Sequence, residues 1–600
     1  MGALLRFYEI NRVPLRGDEA FTLLHWVREP LTQTLNNIAT VDPQPPLAYV
    51  LFHIWGVLVG TGEYTVRFLP ALINTLGVPI LYGLGKRVGG TRVGLVAALL
   101  WAVHPNQIWH AQDARNYALW AVMSPMALWF ALRALEKGRR LDWALYIGAA
   151  VLAAYIYYLE LFSIALISVY VLVMYHRSRQ TLIKWGAALV VIALALAPWF
   201  LQSRLLFGSG YGGTAGHFEP VLLVTWFIPS LVFGEVMTFP VVIAVILLVL
   251  LGLAVWKMHQ GDDRRWVLFL LLGTVPLVLI GLVSLRLNVF VPRYVLMVSA
   301  VYVVLIAYLV GRQSHSRMQQ VFSFAVFFGV LVINQLVLGR YFLSDYAKSP
   351  DWRTLTVYLA TAVEPTSQVI QTAADEAYTL YDYENGVPSE PLRLPANPRQ
   401  SAEEIEGELA HYAETASSLW VIAQPPEWEN RAVVDTWLNA NMQRVRDTIV
   451  GGLRADEYRR WNVDPDEISG SIAQFSDIVE LVGYRIFPPE PTGELPLWLY
   501  WQPLDTSDVP LTVFVHLTGD INPGTGTPLW SQDDQEPQNG RANTTLWTVG
   551  TVYRDVFEIP LENVPPGQYQ LVIGWYDPAA NVRLPVGDGD SYTLDELTLP

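Results

Sequence analysis

The sequence has 600 residues, of which 52% are hydrophobic and only 16% are charged, so a single small water-soluble domain is excluded. The net charge of −15 hides a division: up to Arg340 there are 25 basic and 14 acidic residues, whereas from Tyr341 onward there are 14 and 40. This acidity argues against nucleic acid as a partner, because phosphates bind basic surfaces. The absence of cysteine excludes disulfides and thiolate metal sites.

Apolar runs of about 17–25 residues, long enough to cross a bilayer, follow one another through the first half of the chain. Ten spans are predicted, at residues 64–84, 93–109, 117–135, 141–158, 160–176, 182–200, 237–257, 266–284, 291–310 and 320–340. The shorter run at 45–60 begins at a proline pair, carries His53 and predicts an interfacial or re-entrant helix. We therefore expect a multi-pass protein of the plasma membrane.

Lysine and arginine are concentrated in every second loop between the predicted spans. Cytoplasmic loops carry this excess, so the basic loops are predicted to lie inside. The loops predicted to be external are residues 1–63, 109–116, the turn near 159, 201–236, 285–290 and everything after 341. An external N-terminus has no span before it, so we expect a further helix upstream in the natural chain.

Charged side chains from four predicted external loops are expected at one membrane surface. They are Asp18 and Glu19 in the first loop, Asp113 and Arg115 in the second, Glu160 in the third and Arg293 just inside a span. Charges at the edge of the hydrocarbon are costly and are often functional. For each residue alone, a solvated acid or an arginine reaching toward lipid headgroups remains an alternative.

Four motifs in chain order resemble the bacterial relatives of the protein O-mannosyltransferases and of the lipid A aminoarabinose transferase. They read GDEAFT, DPQPPLAYVLFHIWGVLVGTGEYTVRFLPAL, IWHAQDARNYAL and FVPRYVL. The resemblance implies a glycosyltransferase of the GT-C fold class over residues 1–345, which takes a sugar from a polyprenyl-phosphate carrier at the outer face. It implies that Asp18 acts at the reaction centre, that Asp113 is the second acid, and that Arg293 lies near the donor phosphate. Many relatives have a histidine near YYLELFS, where this chain has Tyr157, Tyr158 and Glu160.

The chemistry of such a transfer explains why these residue types are needed. A sugar phosphate already has a good leaving group, so the enzyme needs one base for the acceptor and positive charge for the departing phosphate. Asp18 is the candidate base. Glu19 would orient Asp18, bind the acceptor or cap the following helix, and Asp113 would hold Arg115 or bind the acceptor. Arg115, Arg293 and Tyr117 are the predicted phosphate ligands, since the planar guanidinium can make two hydrogen bonds.

Other side chains are predicted at the edge of this site, and the cofactor requirement stays open. Glu160, Tyr158, Asp42 and His53 are expected to line the site or contact the acceptor. No cofactor is expected to be required, although Asp18 and Asp113 would hold a divalent metal if one is used. The predicted partners are the lipid-linked sugar, the bilayer, and a protein, lipid or glycan acceptor. The glycine-rich loop at 208–218 would be either a lid or a plain linker.

Two alternatives to an enzyme remain. A transporter or flippase of lipid-linked sugar should carry ionisable residues in the middle of its spans. The middles of the predicted spans are almost free of charge here, which favours the enzyme. The other alternative is an inactive relative that serves as a scaffold.

The acidic half predicts two external domains after the helical one. Residues 346–465 alternate strand and helix patterns and predict a small α/β domain without a nucleotide-binding glycine turn. Residues 470–600 carry short alternating strands separated by turns such as PPG and GDGD, and predict an antiparallel β-sandwich. Its tryptophans would form either a sugar-stacking platform or the core: Trp498, Trp501, Trp530, Trp547 and Trp575.

Overall fold

The computed structural model describes residues 1–40, 45–203, 218–261, 263–312, 316–344, 346–372, 374–397, 400–423, 432–463 and 465–599. The chain divides into two compact units, Met1–Ser349 and Pro350–Pro600. The predicted Asp42 and almost all of the loop at 208–218 lie outside the described residues.

The described part of the first unit consists mainly of helices joined by short turns. Its α-helices are Gly2–Phe7, Gly17–Thr22, Leu31–Thr40, Leu47–Val59, Glu63–Thr75, Gly77–Gly89, Thr91–Ala102, Pro105–Ala111, Tyr117–Lys137, Arg140–Ile156, Glu160–Tyr175, Arg179–Ser203, Pro220–Leu222, Ile228–Phe233, Val241–Gln260, Trp266–Val283, Met297–Gly311 and Arg317–Leu343. Wider π-helical turns occupy Leu23–Val27 and Leu223–Phe227, and Pro292–Val295 forms a 3₁₀ turn. The predicted polytopic helical half is therefore confirmed.

Six helical stretches among the described residues are long and apolar enough to cross a membrane. They are Glu63–Gly89, Tyr117–Lys137, Arg179–Leu201, Val241–Gln260, Trp266–Val283 and Arg317–Leu343. The other four predicted spans are helices at the expected places but are shorter. The span predicted at 93–109, for example, ends at Ala102, and a separate helix begins at Pro105, because proline suits the first turn of a new helix. Leu47–Val59 has 13 residues, fewer than the roughly 20 that a crossing needs.

The helix Met297–Gly311 lies at the centre of this unit. Every residue from Met297 to Leu309 is buried, as expected for a helix that is apolar on all sides. Close approach to its neighbour depends on glycine: a Cβ on Gly311 would lie 3.0 Å from the Cα of Val93. Peripheral helices such as Val241–Gln260 leave leucine and valine side chains exposed on their outer faces, as a lipid-facing surface requires.

The second unit begins with a five-stranded mixed sheet. Its strands are β1 (Gln368–Gln371), β2 (Leu392–Arg393), β3 (Leu419–Ala423), β4 (Gln443–Val450) and β5 (Leu453–Arg459), in the order β2-β1-β3-β5-β4. β1 pairs in parallel with β2 and β3, whereas β5 is antiparallel to both β3 and β4. The helices are Trp352–Ala362, Glu376–Asn385, Ala402–Thr415 and Val433–Asn441. The predicted α/β fold of this segment is confirmed, and the segment forms one compact unit with the sheets that follow.

Two antiparallel sheets follow. They are formed by β6 (Ala473–Phe475), β7 (Val479–Ile486), β8 (Glu494–Pro503), β9 (Thr512–Thr518), β10 (Leu529–Gln535), β11 (Tyr553–Pro560), β12 (Gly567–Asp577), β13 (Val582–Arg583) and β14 (Tyr592–Leu599). One sheet has the order β10-β9-β12-β13 with β14 also on β12, and the other has β11-β8-β7-β6. Short 3₁₀ turns lie at Pro465–Glu467 and Thr544–Leu546.

The tryptophans of the C-terminal sheets belong to the core. Trp498, Trp501 and Trp575 have no exposed surface, and Trp547 is 8% exposed. The rings of Trp501 and Trp575 meet edge to face at 4.9 Å. A buried ring has no free face for a sugar, so the platform proposed for these tryptophans as a set is wrong, and Trp530 alone among them is only partly buried.

Candidate active site

Asp18 lies on a short helix, Gly17–Thr22, near the start of the chain. Its side chain keeps 42% of its surface exposed, in contrast to the neighbouring Glu19, which is fully buried. Nη1 of Arg293 lies 3.7 Å from Oδ2 of Asp18, which is an ion-pair distance longer than a hydrogen bond. The structure thus brings together the first and the last of the predicted site residues.

Two further predicted residues complete the surroundings of Asp18. Arg115 donates from Nη1 to the backbone carbonyl of Asp18 at 3.1 Å and to the hydroxyl of Thr22 at 3.2 Å. The guanidinium of Arg293 lies 5.7 Å from the centre of the Tyr117 ring, within the range of a cation–π contact. Arg115 therefore holds the backbone of the helix, and Tyr117 supports the arginine that faces the carboxylate.

Glu19 is occupied by structural contacts. Its two carboxylate oxygens accept hydrogen bonds from Nε and Nη2 of Arg67, at 2.7 and 2.6 Å. The backbone N–H groups of Ala114 and Arg16 also donate to it, at 2.8 and 3.2 Å. The second of these contacts caps the start of the helix that carries Asp18, so capping is the role of Glu19 that the contacts support.

Arg67 ties the N-terminal segment to the membrane helices. Beyond Glu19, its guanidinium donates to the carbonyl groups of Ile10, Val13 and Pro14 at 3.0, 2.6 and 3.0 Å. Since Arg67 belongs to the helix Glu63–Thr75, these bonds hold the segment that precedes Asp18 against that helix.

Asp113 pairs with an arginine that sequence reasoning missed. Nη2 of Arg16 donates to both carboxylate oxygens of Asp113 at 2.9 Å. The Arg16 guanidinium also lies 4.8 Å from the centre of the Trp109 ring. The only signal in the sequence was the position of Arg16, two residues before Asp18 in LRGDE.

A second missed residue is Lys348, near the end of the first unit. Its ammonium group donates to the carbonyls of Trp109 and Gln112, at 2.6 and 2.8 Å, and lies 4.3 Å from the centre of the Trp109 ring. No local pattern marks this lysine, because its partners are more than 230 positions away in the sequence. It fixes the loop that carries Asp113.

The acid–base pair His110 and Glu235 was also missed. His110 is fully buried, and its Nε2 lies 3.4 Å from Oε1 of Glu235. Burial lowers the pKa of His110, so its neutral form is favoured despite the nearby carboxylate.

Electrostatics set the charge state of the two aspartates. Burial by itself would raise the pKa of Asp18, but Arg115, Arg293 and Arg16 outweigh it and hold the pKa below its ordinary value. The pKa of Asp113 is lowered against burial in the same way by Arg16 and Lys348. Both aspartates are therefore ionised at neutral pH. Burial lowers the pKa of Lys348 itself to about 7.

The predicted lining residues have other neighbours. Glu160 is buried and accepts a hydrogen bond from Nε1 of Trp120 at 2.9 Å. Nδ1 of His53 lies 3.1 Å from the carbonyl oxygen of Trp26. Tyr158 accepts a bond from Trp199 at 2.6 Å and packs beside a cluster of Trp26, Tyr49 and Trp199. These contacts support the shape of the helical unit, and none of them involves Asp18.

The arrangement of Asp18 and Asp113 does not fit a metal ion between them. Both oxygens of Asp113 are taken by Arg16, and Arg293 faces Asp18. Within the described part of the chain, no group of three or more His, Asp or Glu side chains is placed to hold a metal. A guanidinium carries the charge that a cation would supply here, so no step of the reaction is assigned to a metal.

Several solved structures are similar to this chain, among them the following three. ArnT from Cupriavidus metallidurans bound to undecaprenyl phosphate is 13% identical, with a TM-score of 0.47, over 76% of this chain and 96% of that one. AglB, an oligosaccharyltransferase from Archaeoglobus fulgidus in complex with an inhibitory peptide and a dolichol-phosphate, is 11% identical, with a TM-score of 0.48, over 93% and 92%. The arabinofuranosyltransferase AftD from Mycobacteria is 11% identical, with a TM-score of 0.44, over 96% and 61%.

Sequence comparison gives a family for part of the helical unit. No curated protein matches the chain significantly. Residues 43–201, which include Arg67, Asp113 and Arg115, match the family model described as dolichyl-phosphate-mannose-protein mannosyltransferase. Over this stretch the chain is thus similar to the dolichyl-phosphate-mannose-protein mannosyltransferases, and the resemblance predicted from its motifs is confirmed.

Proposed function

We propose that this protein is a membrane glycosyltransferase that moves a sugar from a polyprenyl-phosphate carrier to an acceptor at the outer face of the membrane. Asp18 is its general base. One observation carries this assignment: of the three carboxylates in the cluster, Glu19 and Asp113 are buried and taken up by arginines, whereas Asp18 keeps 42% of its side chain exposed. Only that carboxylate is free to reach an acceptor hydroxyl.

The reaction follows from the charges around Asp18. The acceptor oxygen forms a bond to the anomeric carbon while its proton passes to the Asp18 carboxylate. The bond from the anomeric carbon to the phosphate oxygen breaks, and its electron pair stays on the phosphate. Arg293 stabilises the charge that develops there, since guanidinium groups bind phosphate oxygens strongly. Asp18 then releases the proton to water.

Glu19, Asp113, Arg16, Arg67, Arg115 and Lys348 are positioning residues in this proposal. Their hydrogen bonds hold the helix of Asp18 and the loop of Asp113 in one arrangement. Because three acids meet four arginines and a lysine, the cluster keeps a positive balance that suits a phosphate.

The orientation of the chain follows from its loops. Basic residues at Lys86 and Arg87, at Arg139 and Arg140, and at Arg264 and Arg265 support a cytoplasmic side opposite Asp18. The unit Pro350–Pro600 is then extracytoplasmic. A reporter that works only in the cytoplasm, fused after Pro600, should be silent, and strong activity would reverse this orientation.

The test of the base is Asp18→Asn, which keeps the shape of the side chain and removes its basicity. Single-turnover transfer is measured with the purified chain, using undecaprenyl-phosphate mannose, glucose and aminoarabinose as donors and isolated envelope membranes as acceptors. Loss of a positioned base should lower the rate by about 10²–10⁴-fold. Equilibrium binding of the donor should stay near the wild-type value.

The matched control is Glu9→Gln, which neutralises another acid of the same segment that is 37% exposed and pairs with Arg12. This variant should transfer normally. Normal transfer by Asp18→Asn together with loss of activity in Asp113→Asn would move the base to the second loop. Donor binding without transfer by the wild-type chain would favour a carrier or scaffold.

A further inference from the structure

A polar cavity of about 410 Å³ lies within the second unit, where three sheets present their edge strands. β4 ends the mixed sheet, and β10 and β11 each end one of the antiparallel sheets. Phe557 and Ile559 of β11 point into the sandwich core, so the alternate residues Val556 and Glu558 face the cavity. The volume falls in the usual range for ligand sites, about 300–1,000 Å³.

Both hydrogen-bond acceptors and hydrogen-bond donors line this cavity. Asp533 and Glu558 offer carboxylate oxygens, Arg541 offers a guanidinium group, and Gln443 offers a side-chain amide. Two other lining residues, Arg444 and Asp447, pair with each other at 2.7 Å. Gln443 is only 4% exposed; its Nε2 donates to the carbonyl of Arg554, but its Oε1 has no hydrogen-bond partner among the described residues. A buried acceptor without a donor lowers the stability of the folded chain, so a ligand that donates a hydrogen bond to this oxygen would be favoured here.

Two of the four carboxylates that line the cavity, Asp533 and Glu558, are also short of donors. Asp533 accepts the backbone N–H of Glu558 at 2.9 Å, and burial still raises its pKa. Burial, followed by the nearby Glu494, Glu490 and Asp447, raises the pKa of Glu558 to about 7. Hydroxyl groups that donate to these oxygens would satisfy them without adding charge.

A second cavity, of about 510 Å³, shares Trp461, Gln538 and Arg541 with the first. Trp461 therefore stands between two compartments of one groove. In the second compartment the rings of Trp547 and Tyr553 stack at 4.6 Å. A groove of two compartments with an aromatic side chain between them suits an elongated ligand with alternating polar and apolar faces.

We propose that this groove binds a neutral oligosaccharide. A hydroxyl group both donates and accepts, so it can pair with the carboxylates and with the guanidinium and amide groups in turn. An anion would meet Asp533 and Glu558, and a cation would meet Arg541, so neither is well matched. The binding does not depend on the transferase reaction at Asp18.

The test measures binding of mannotetraose, maltotetraose, cellotetraose and chitotetraose to the full chain in detergent by calorimetry and saturation-transfer NMR. At least one should bind with a Kd near or below about 1 mM. Trp461→Ala and Arg541→Gln should each weaken that binding by about tenfold or more. Arg541 is exposed, so we expect its substitution to leave the fold intact.

Two matched controls separate this groove from other sites. Asp588→Asn changes an exposed acid of the same unit outside the groove and should bind like the wild type. Asp18→Asn should also bind the tetrasaccharide normally, which distinguishes the groove from the transferase site. Absence of binding by all four tetrasaccharides at about 10 mM, or binding that neither groove variant weakens, would overturn the proposal.

Discussion

Two groups of partly or fully buried carboxylates in this protein have pKa values shifted in opposite directions. In the helical unit, Asp18 and Asp113 have lowered pKa values because arginines overcome the effect of burial. In the second unit, Asp533 and Glu558 have raised pKa values because burial and neighbouring acids act together. The difference shows that the cations within reach, and not the degree of burial alone, decide whether an acid is charged. The first group suits an anionic donor, and the second suits neutral hydroxyl groups.

Removing a cation from the first group should have the largest effect on stability. Arg67→Met removes the cation that donates two hydrogen bonds to the buried Glu19 carboxylate and should lower the free energy of unfolding by about 3–5 kcal/mol. The measurement is denaturant unfolding of the chain in mixed micelles. The control, Arg92→Met, changes an exposed arginine and should have almost no effect.

A double variant sharpens that test. Glu19→Gln combined with Arg67→Met removes both charges and should recover part of the lost stability, because no unpaired charge is left buried. If Arg67→Met is as stable as Arg92→Met, the pair does not hold the segment before Asp18 in place.

Arg293 should govern donor affinity. Its removal deletes a charge-assisted contact worth about 1.5–3 kcal/mol, so Arg293→Ala should weaken donor binding by about 10–100-fold. Arg293→Lys should bind more tightly than Arg293→Ala, since lysine keeps the charge but loses the two-pronged geometry. Equilibrium binding of undecaprenyl-phosphate mannose measures both.

Arg286→Ala is the control for Arg293, because Arg286 is an exposed arginine in the preceding loop. It should bind the donor normally. Wild-type affinity and turnover in both Arg293 variants would make that residue a membrane anchor and not a phosphate ligand.

The pH dependence of kcat/KM should report the lowered pKa of Asp18. With a pKa below the ordinary 3.8, Asp18 stays ionised, so kcat/KM should not fall as the pH goes from about 7 to about 5. Arg293→Met removes one charge that stabilises the ionised form of Asp18, so it should raise the pKa of Asp18. The pH at which kcat/KM falls on the acid side should then be higher by about one pH unit. A wild-type acid limb near pH 6 would instead point to a histidine as the base.

Lys348 should produce a slope of stability with pH. Its pKa is about 7 in the folded chain against an ordinary 10.5, so between these values the unfolded chain binds more protons. Stability should therefore rise with pH from about 7 to about 10, and Lys348→Met should flatten this slope. Lys137→Met, at an exposed site, should keep it. Thermal unfolding in detergent as a function of pH measures both, and equal slopes in the two variants would contradict the assignment.

Much of the fold could be predicted because its signals are local. Apolar runs predicted ten spans, each of which contains helix in the structure, and alternating patterns placed β8, β9, β11 and β12 in antiparallel sheets. Helix ends were less predictable: Leu76 interrupts one predicted span, and Ala102 ends another before Pro105 begins a new helix. These breaks depend on packing as well as on composition.

The candidate site was predictable only in part. Asp18 and Arg293 were predicted from the motifs GDEAFT and FVPRYVL that carry the family resemblance, and their side chains do lie close together. Arg16, Arg67 and Lys348 were missed because arginine and lysine at those positions look like ordinary loop or helix-end residues. The sequence left open whether the tryptophans of the sandwich bind sugar or form the core, since a strand pattern does not say which face meets the second sheet. Their burial in the structure places them in the core.

The sequence by itself determined the membrane half, the acidic second half and the motifs that carry the family resemblance, because hydropathy, charge and short motifs are local properties. Only the tertiary structure decided that Glu19 and Asp113 are occupied while Asp18 is accessible. It alone brought Trp461 into a groove with Asp533 and Arg541. The physical reason is that pairing and burial depend on distances between residues far apart in the chain, and those distances exist only after the helices and sheets have packed.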